Sequence, residues 1–351
     1  MSRAIPEAGG GYSFASRAYR GLPAFLSGWF MWIGNVAYIA LSSYTFALTL
    51  SRLLPLLPPR LLALLTVALF AIINYLGAKR AGRTQVLLTA TVLAILVVFT
   101  LVGAFRFNWE NFQPLAPNGV GSVFATVGYV YSIYIGFEMI SNVAEEVKHG
   151  EVLVPRAIIL TIGSAMALFP LVVAMTVGLL PQHILASSTT PLVDAASRLG
   201  PAAGWAMAFG GVVASLAALN AALIAAARIT YALARDRYLP RSFMGLHPRF
   251  RSPHLGIGLA SLVALLFVTT AHLDLMVYST NFGYLFGLVL INAAAFRLQG
   301  LRWRIPYPLI PLLATATSII VIPFLEVGAF LWGGVLTALG VCLYSLYRRV
   351  R

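Results

Sequence analysis

The chain has 351 residues, of which 60% are apolar and 10% charged, against a charged fraction of about 25% in soluble domains. Apolar runs of membrane length recur from end to end, which excludes a soluble globular protein and predicts an all-α polytopic membrane protein. The net charge is +14, yet the 24 Lys and Arg residues sit in short loops between the runs, so they report membrane topology and predict no nucleic-acid partner.

Residues 1–20 are basic and rich in turn formers. Pro6 and the glycines Gly9, Gly10 and Gly11 predict a cytoplasmic N-terminal loop with no regular helix, and in this polar, glycine-rich stretch no cleavable signal peptide is visible. Ten apolar segments are predicted near 22–54, 60–77, 84–104, 119–143, 155–180, 202–234, 255–271, 273–297, 307–325 and 327–347. The first is long enough to require tilt or protrusion into water. Short linkers make most neighbours antiparallel hairpins, and no linker is long enough to separate soluble domains. With both termini in the cytoplasm, twenty of the 24 basic residues fall inside; Arg52, Arg60, Arg106 and Arg198 fall outside. The lone cysteine, Cys342, excludes an intrachain disulfide framework.

The most informative stretch is residues 130–159, VYSIYIGFEMISNVAEEVKHGEVLVPRAII. Gly136 and the lone carboxylate Glu138 stand inside an apolar, aromatic segment that ends in Glu145, Glu146 and Lys148; Pro155 and Arg156 open the next run. A glycine and an ionisable side chain in a membrane-length segment are expensive in lipid, so the pattern reads either as a broken helix lining a polar cavity or as a kink whose Glu138 finds a partner.

Several motifs, in order, carry a family likeness: Pro6 to Tyr12 (PEAGGGY), Ile73 to Gly77 (INYLG), Tyr134 to Glu138 followed by AEEVK and Pro155-Arg156-Ala157, and Arg228 followed by YALARD and Leu239-Pro240. In this register the chain resembles the amino acid–polyamine–organocation superfamily of permeases. The resemblance implies a five-plus-five inverted-repeat transporter fold of about ten transmembrane helices, with residues 21–297 as the core, equivalent to family helices 3–10. Residues 298–351 would then hold two C-terminal accessory helices and a tail. It also implies that the first helix and most of the second are absent before residue 6. The first family helix holds the substrate carboxylate, so the chain as written is expected to insert but to transport poorly.

A transporter of this kind needs polar groups at mid-membrane beside a broken helix. Residues 132–136 are the break candidate, with Ser132, Tyr134, Ile135 and Gly136 offering backbone or side-chain contacts to substrate and Tyr131 the nearest aromatic gate. Asn35, in a stretch similar to one in the arginine/agmatine antiporter, is a candidate for the substrate side chain, because an amide both donates and accepts; a bond to a neighbouring helix is the alternative. Tyr38 shares its face. Ser215 and Asn220 lie among small residues, the first a candidate oxygen, although two oxygens fall short of a hard-cation site and small residues also serve packing. Asn281, with Ser279 and Tyr284, is a candidate on the eighth segment, where Gly283 and Gly287 form a GxxxG packing pattern. Glu138 is the candidate for gating or proton coupling, and Arg228 either pairs with it or snorkels to the cytoplasm. No lysine occurs in 84–104, where a proton-coupled branch of the resembled family places one in lieu of sodium, so that mechanism is not expected. No histidine cluster has metal-ligand spacing and no Walker A sequence is present, so neither metal, cofactor nor ATP is expected.

The reading is secondary active transport of amino acids or related amines across the cell membrane by alternating access, as a proton-coupled symporter or an exchanger. Its partners are the substrate, the lipid bilayer and, as a candidate assembly, a homo-oligomer. A non-transporting membrane fragment or interaction subunit is the alternative. A membrane enzyme would need a convergent His/Asp/Glu cluster that the sequence lacks.

Overall fold

The computed structural model of the chain describes residues 5, 7–53, 57–115, 119, 121–122, 136–298 and 309–349. Among these, the helices in chain order are α1 (Gly10–Ala18), α2 (Leu22–Leu53), α3 (Pro59–Tyr75), α4 (Ala78–Ala104), α5 (Gly150–Leu179), α6 (Gln182–Ser187), α7 (Pro191–Ser197), α8 (Pro201–Arg235), α9 (His254–Thr270), α10 (Leu273–Leu298), α11 (Leu309–Val321) and α12 (Val327–Arg349), and a 3-10 stretch covers Phe137–Glu146. Six of them, α2, α4, α5, α8, α10 and α12, are long and apolar enough to cross a membrane; α3, α9 and most of α11 are shorter apolar helices. The expected segments match these helices within a few residues, except that α4 starts at Ala78, six residues before the expected 84, and α5 starts at Gly150 and carries Pro155 inside it. Most of the segment expected at 119–143 lies outside the described residues.

Burial separates the helices into a core and an exposed outer shell. In the most apolar window of α2, 78% of residues are buried within the protein, against 11% for α4 and 6% for α5. An apolar helix buried on all sides belongs at the centre. α2 therefore packs against both α8 and α10, with α3, α9 and α12 around it. Small residues permit the close approach: Ala222, Ala225, Ala226, Ala227 and Ala232 of α8 are fully enclosed. At the α2–α10 crossing, a Cβ added to Gly283 would stand 2.6 Å from the Phe30 carbonyl oxygen and 2.7 Å from Gly34 Cα. The GxxxG pattern is thus a helix-packing device.

The N-terminal stretch departs from expectation. Instead of a loop, Gly10–Ala18 forms α1, with Tyr12, Phe14 and Ala15 buried. Its glycines cost helix propensity, but each meets a different neighbour. Added Cβ atoms would reach Ala232 of α8 from Gly9, Ser141 from Gly10 and Ile291 of α10 from Gly11, all within 2.5 Å. Gly9 also holds φ +96° at the turn into the helix, a conformation natural to glycine. Burial of the aromatic residues between α2, α10 and the 3-10 stretch outweighs the local penalty.

Candidate functional site

The close crossing of α2 and α10 sets the first part of the site. Asn35 is fully buried. Its amide donates to the Met31 carbonyl at 2.7 Å, and its oxygen accepts a bond from the Tyr284 hydroxyl at 3.0 Å. Tyr38, one turn on, meets the Tyr284 ring edge-on with centroids 6.3 Å apart. The amide thus does bond a neighbouring helix, and in doing so it forms a polar pair in an apolar interior.

The 3-10 stretch supplies the second part. Gly136 has φ +120°, and among the described residues no atom lies within 4 Å of where its Cβ would be, so backbone conformation calls for glycine here. The turn delivers Glu138 into the interior at 8% exposure. One carboxylate oxygen accepts the Gly136 N–H at 2.9 Å; the other, Oε1, is buried without a hydrogen-bond partner among the described residues. Glu138 lies within electrostatic reach of the Tyr38 and Tyr284 hydroxyls. Gly136 also borders a cavity of about 530 Å³ whose wall includes Gln85, Thr89, Thr161 and Ala221.

Arg228 neither pairs with Glu138 nor reaches into water. It is 6% exposed, and its Nε and Nη2 donate to the two oxygens of Glu146 at 2.7 and 2.9 Å, while Nη1 donates to the Ile224 carbonyl at 2.9 Å. The reason is geometric: Glu138 lies at the start of the 3-10 stretch and is occupied by its own turn, whereas Glu146 lies at its end, against α8. Two turns along α8, Arg235 gathers a second ionic group, with Glu7 at 3.1 Å, Glu145 at 3.2 Å and Asp236 at 3.2 Å. Arg17 pairs with Glu7, and the Tyr12 hydroxyl donates to Asp236 at 2.9 Å. Burial, reinforced by that carboxylate, pushes the Tyr12 hydroxyl far above the ordinary tyrosine range and keeps it a neutral donor. These bonds tie the N-terminal stretch, the 3-10 stretch and α8 together at one end of the bundle.

Of the other candidates, Ser215 is half-buried and donates to the Gly211 carbonyl of its own helix at 3.1 Å, taking no part in the Asn35–Tyr284 pair. Asn281 is half-buried on α10, three residues from Tyr284, with no hydrogen bond among the described residues. Tyr131, Ser132, Tyr134 and Ile135 lie outside the described residues. Asn220 serves structure: it accepts from Asn74 at 2.9 Å and donates to the Ala81 carbonyl at 3.1 Å and to Gln85 at 2.9 Å, joining α3, α4 and α8. Among the described residues, no group of three metal-ligating side chains occurs. Residue-by-residue reading missed the ionic roles of Glu7, Glu146 and Asp236. The signal was present, because PEAGG, AEEVK and YALARD each carry one of these acids.

A bundle of apolar helices, six of them long and apolar enough to cross a membrane, is consistent with a polytopic membrane transporter. The comparisons with known proteins agree. The amino acid permease family model matches residues 1–341. The chain is 27% identical to an uncharacterized transporter of Mycobacterium tuberculosis over 99% of this chain and 79% of that one. It is 25% identical to a branched-chain amino acid permease of Lactococcus lactis, over 99% and 82%, and 26% identical to a methylthioribose transporter of Bacillus subtilis, over 99% and 81%. The chain belongs to the amino acid permease family.

Proposed function

We propose that this chain moves amino acids or related amines across the cell membrane by secondary active transport and alternating access, as a proton-coupled symporter or an exchanger, with both termini in the cytoplasm. The observation that carries the reading is Glu138: a buried carboxylate with one oxygen unsatisfied among the described residues, set at the Gly136 turn and within electrostatic reach of Tyr38 and of Tyr284, which itself bonds Asn35. An orphaned buried acceptor is costly and is retained where a proton or ligand visits it. Asn35 and Tyr38 offer the polar surface for substrate, with Gly136 and the residues just before it, Ser132, Tyr134 and Ile135, completing it; Ser215 and Asn281 flank that path. Tyr131 and Arg228 act in gating, Arg228 through its bond to Glu146. The permease names of relatives support an amino acid as cargo, and the methylthioribose transporter makes that sugar the control outside the class.

The test uses the full chain purified into liposomes. Labelled branched-chain, neutral and cationic amino acids and methylthioribose are offered with and without an inward proton gradient or internal substrate. Saturable uptake, driven by the gradient for a symporter or by internal substrate for an exchanger, would support the reading and overturn the expectation that the chain as written transports poorly. Glu138→Gln is expected to alter the pH dependence of uptake more than the substrate preference. Loss of binding at every pH, with the pH dependence otherwise intact, would argue against that role. No saturable uptake of any compound would favour the non-transporting membrane subunit.

A further inference from the structure

Two segments of the chain carry cations and no carboxylate. Residues 76–83 contain Lys79, Arg80 and Arg83, and residues 237–253 contain Arg237, Arg241, Arg249 and Arg251, with no Asp or Glu in either. The fold clamps the two together. The Ser252 hydroxyl donates to the Tyr75 carbonyl at 2.7 Å, and the Tyr75 ring packs on His247 and Phe250 at 5.0 and 5.7 Å. Gly77 stands so close to the Phe250 carbonyl that an added Cβ would be 2.9 Å from its oxygen. The loop is itself fixed, by His247 N–H to the Ser252 carbonyl and Arg251 N–H to the His247 carbonyl, both at 2.8 Å. Arg249 and Arg251 therefore flank the contact with Gly77, and Lys79 and Arg80 follow it directly on α4.

All four side chains are exposed. Among the described residues none of them, nor Arg83, makes an ion pair, while the acids Glu7, Glu145, Glu146 and Asp236 are held by Arg17, Arg228 and Arg235. An apolar wall runs straight from this platform. α3 ends at Tyr75 and exposes Ile72, Leu69 and Leu65 in steps of one turn; α9 begins at His254, packs on α3 and exposes Leu255, Leu262 and Leu266. A soluble anion would need only the cations. Cations at the end of an apolar wall match an amphiphile with an anionic head.

We propose that this platform binds the headgroup of an anionic phospholipid, its phosphate held by Lys79, Arg80, Arg249 and Arg251 and its acyl chains lying along Ile72, Leu69 and Leu65.

The test measures lipid retention by native mass spectrometry on the full chain in neutral detergent, using phosphatidylglycerol and phosphatidylcholine with identical acyl chains. Phosphatidylglycerol is expected to bind about tenfold or more tightly than phosphatidylcholine. Replacing Lys79, Arg80, Arg249 and Arg251 by Gln should abolish that preference. Exchanging Lys79 for Arg and the three arginines for Lys should keep it, as should Arg106→Gln with Arg198→Gln, far along the chain. Should the fourfold Gln variant fail to fold, Arg249→Gln with Arg251→Gln, both in an exposed loop, should still weaken the preference. Equal binding of the two lipids by the parent, an undiminished preference in the Gln variants, or displacement of phosphatidylglycerol by an equal concentration of glycerol phosphate would each overturn the proposal.

Discussion

Arg228 and Glu146 share two parallel hydrogen bonds but not an equal environment: the arginine side chain is 7% exposed and the glutamate 43%. That asymmetry predicts unequal costs for removing either partner. Glu146→Ala leaves a guanidinium in the interior with its bond to the Ile224 carbonyl as the remaining acceptor contact described for it. Breaking a buried pair from one side costs about 3–5 kcal/mol; because water reaches the glutamate side of this pair, about 2–3 kcal/mol is expected here. Arg228→Met removes the buried charge, and the carboxylate left behind rehydrates at the edge, so the loss is about 1 kcal/mol, chiefly from the changed hydrogen bonding. The double replacement should be no less stable than Glu146→Ala alone, since it removes the stranded charge. Thermal unfolding of the detergent-purified variants, followed by the fraction remaining monodisperse, gives the order. If Arg228→Met proves as damaging as Glu146→Ala, burial asymmetry does not govern this pair.

The α2–α10 crossing should not tolerate a side chain at Gly283: Gly283→Ala pushes on the backbone of Phe30 and Gly34 and should cost about 1–3 kcal/mol, whereas Gly334→Ala, with nothing within 4 Å, should be near neutral by the same unfolding measurement. Gly136→Ala meets no neighbour among the described residues, yet its φ of +120° should impose about 1–3 kcal/mol of backbone strain and reduce transport while the protein remains folded; unchanged transport would show that the Gly136 turn does not need this conformation. Cysteines introduced at Lys148 and Ser188, with Cys342 replaced, should react with an impermeant reagent from opposite sides of the membrane, and equal labelling in intact cells would contradict the charge-based topology.

The helices could be read from the sequence because an apolar run of membrane length has few alternatives: every backbone polar group in lipid must be satisfied within its own helix. For the same reason Gly136 and Glu138 stood out, as a glycine and a charge are both expensive in such a run. Local rules failed at residues 10–18. Their glycines argue against a helix until Ser141 and Ile291 are known to stand within van der Waals reach, and that proximity belongs to the packed bundle. Partner choice was equally hidden. From spacing alone, Arg228 could face Glu138 or water; only the course of the 3-10 stretch puts Glu146 against α8 and turns Glu138 back on the Gly136 amide. Asn35 was visible as a polar residue in an apolar helix, but its bond to Tyr284, 249 residues away in sequence, requires the crossing that Gly34 and Gly283 allow. Composition and periodicity act through the solvent each residue meets, and so can be read along the chain; hydrogen-bond and ion-pair partners are set by which helices touch, and that is decided only when the bundle closes.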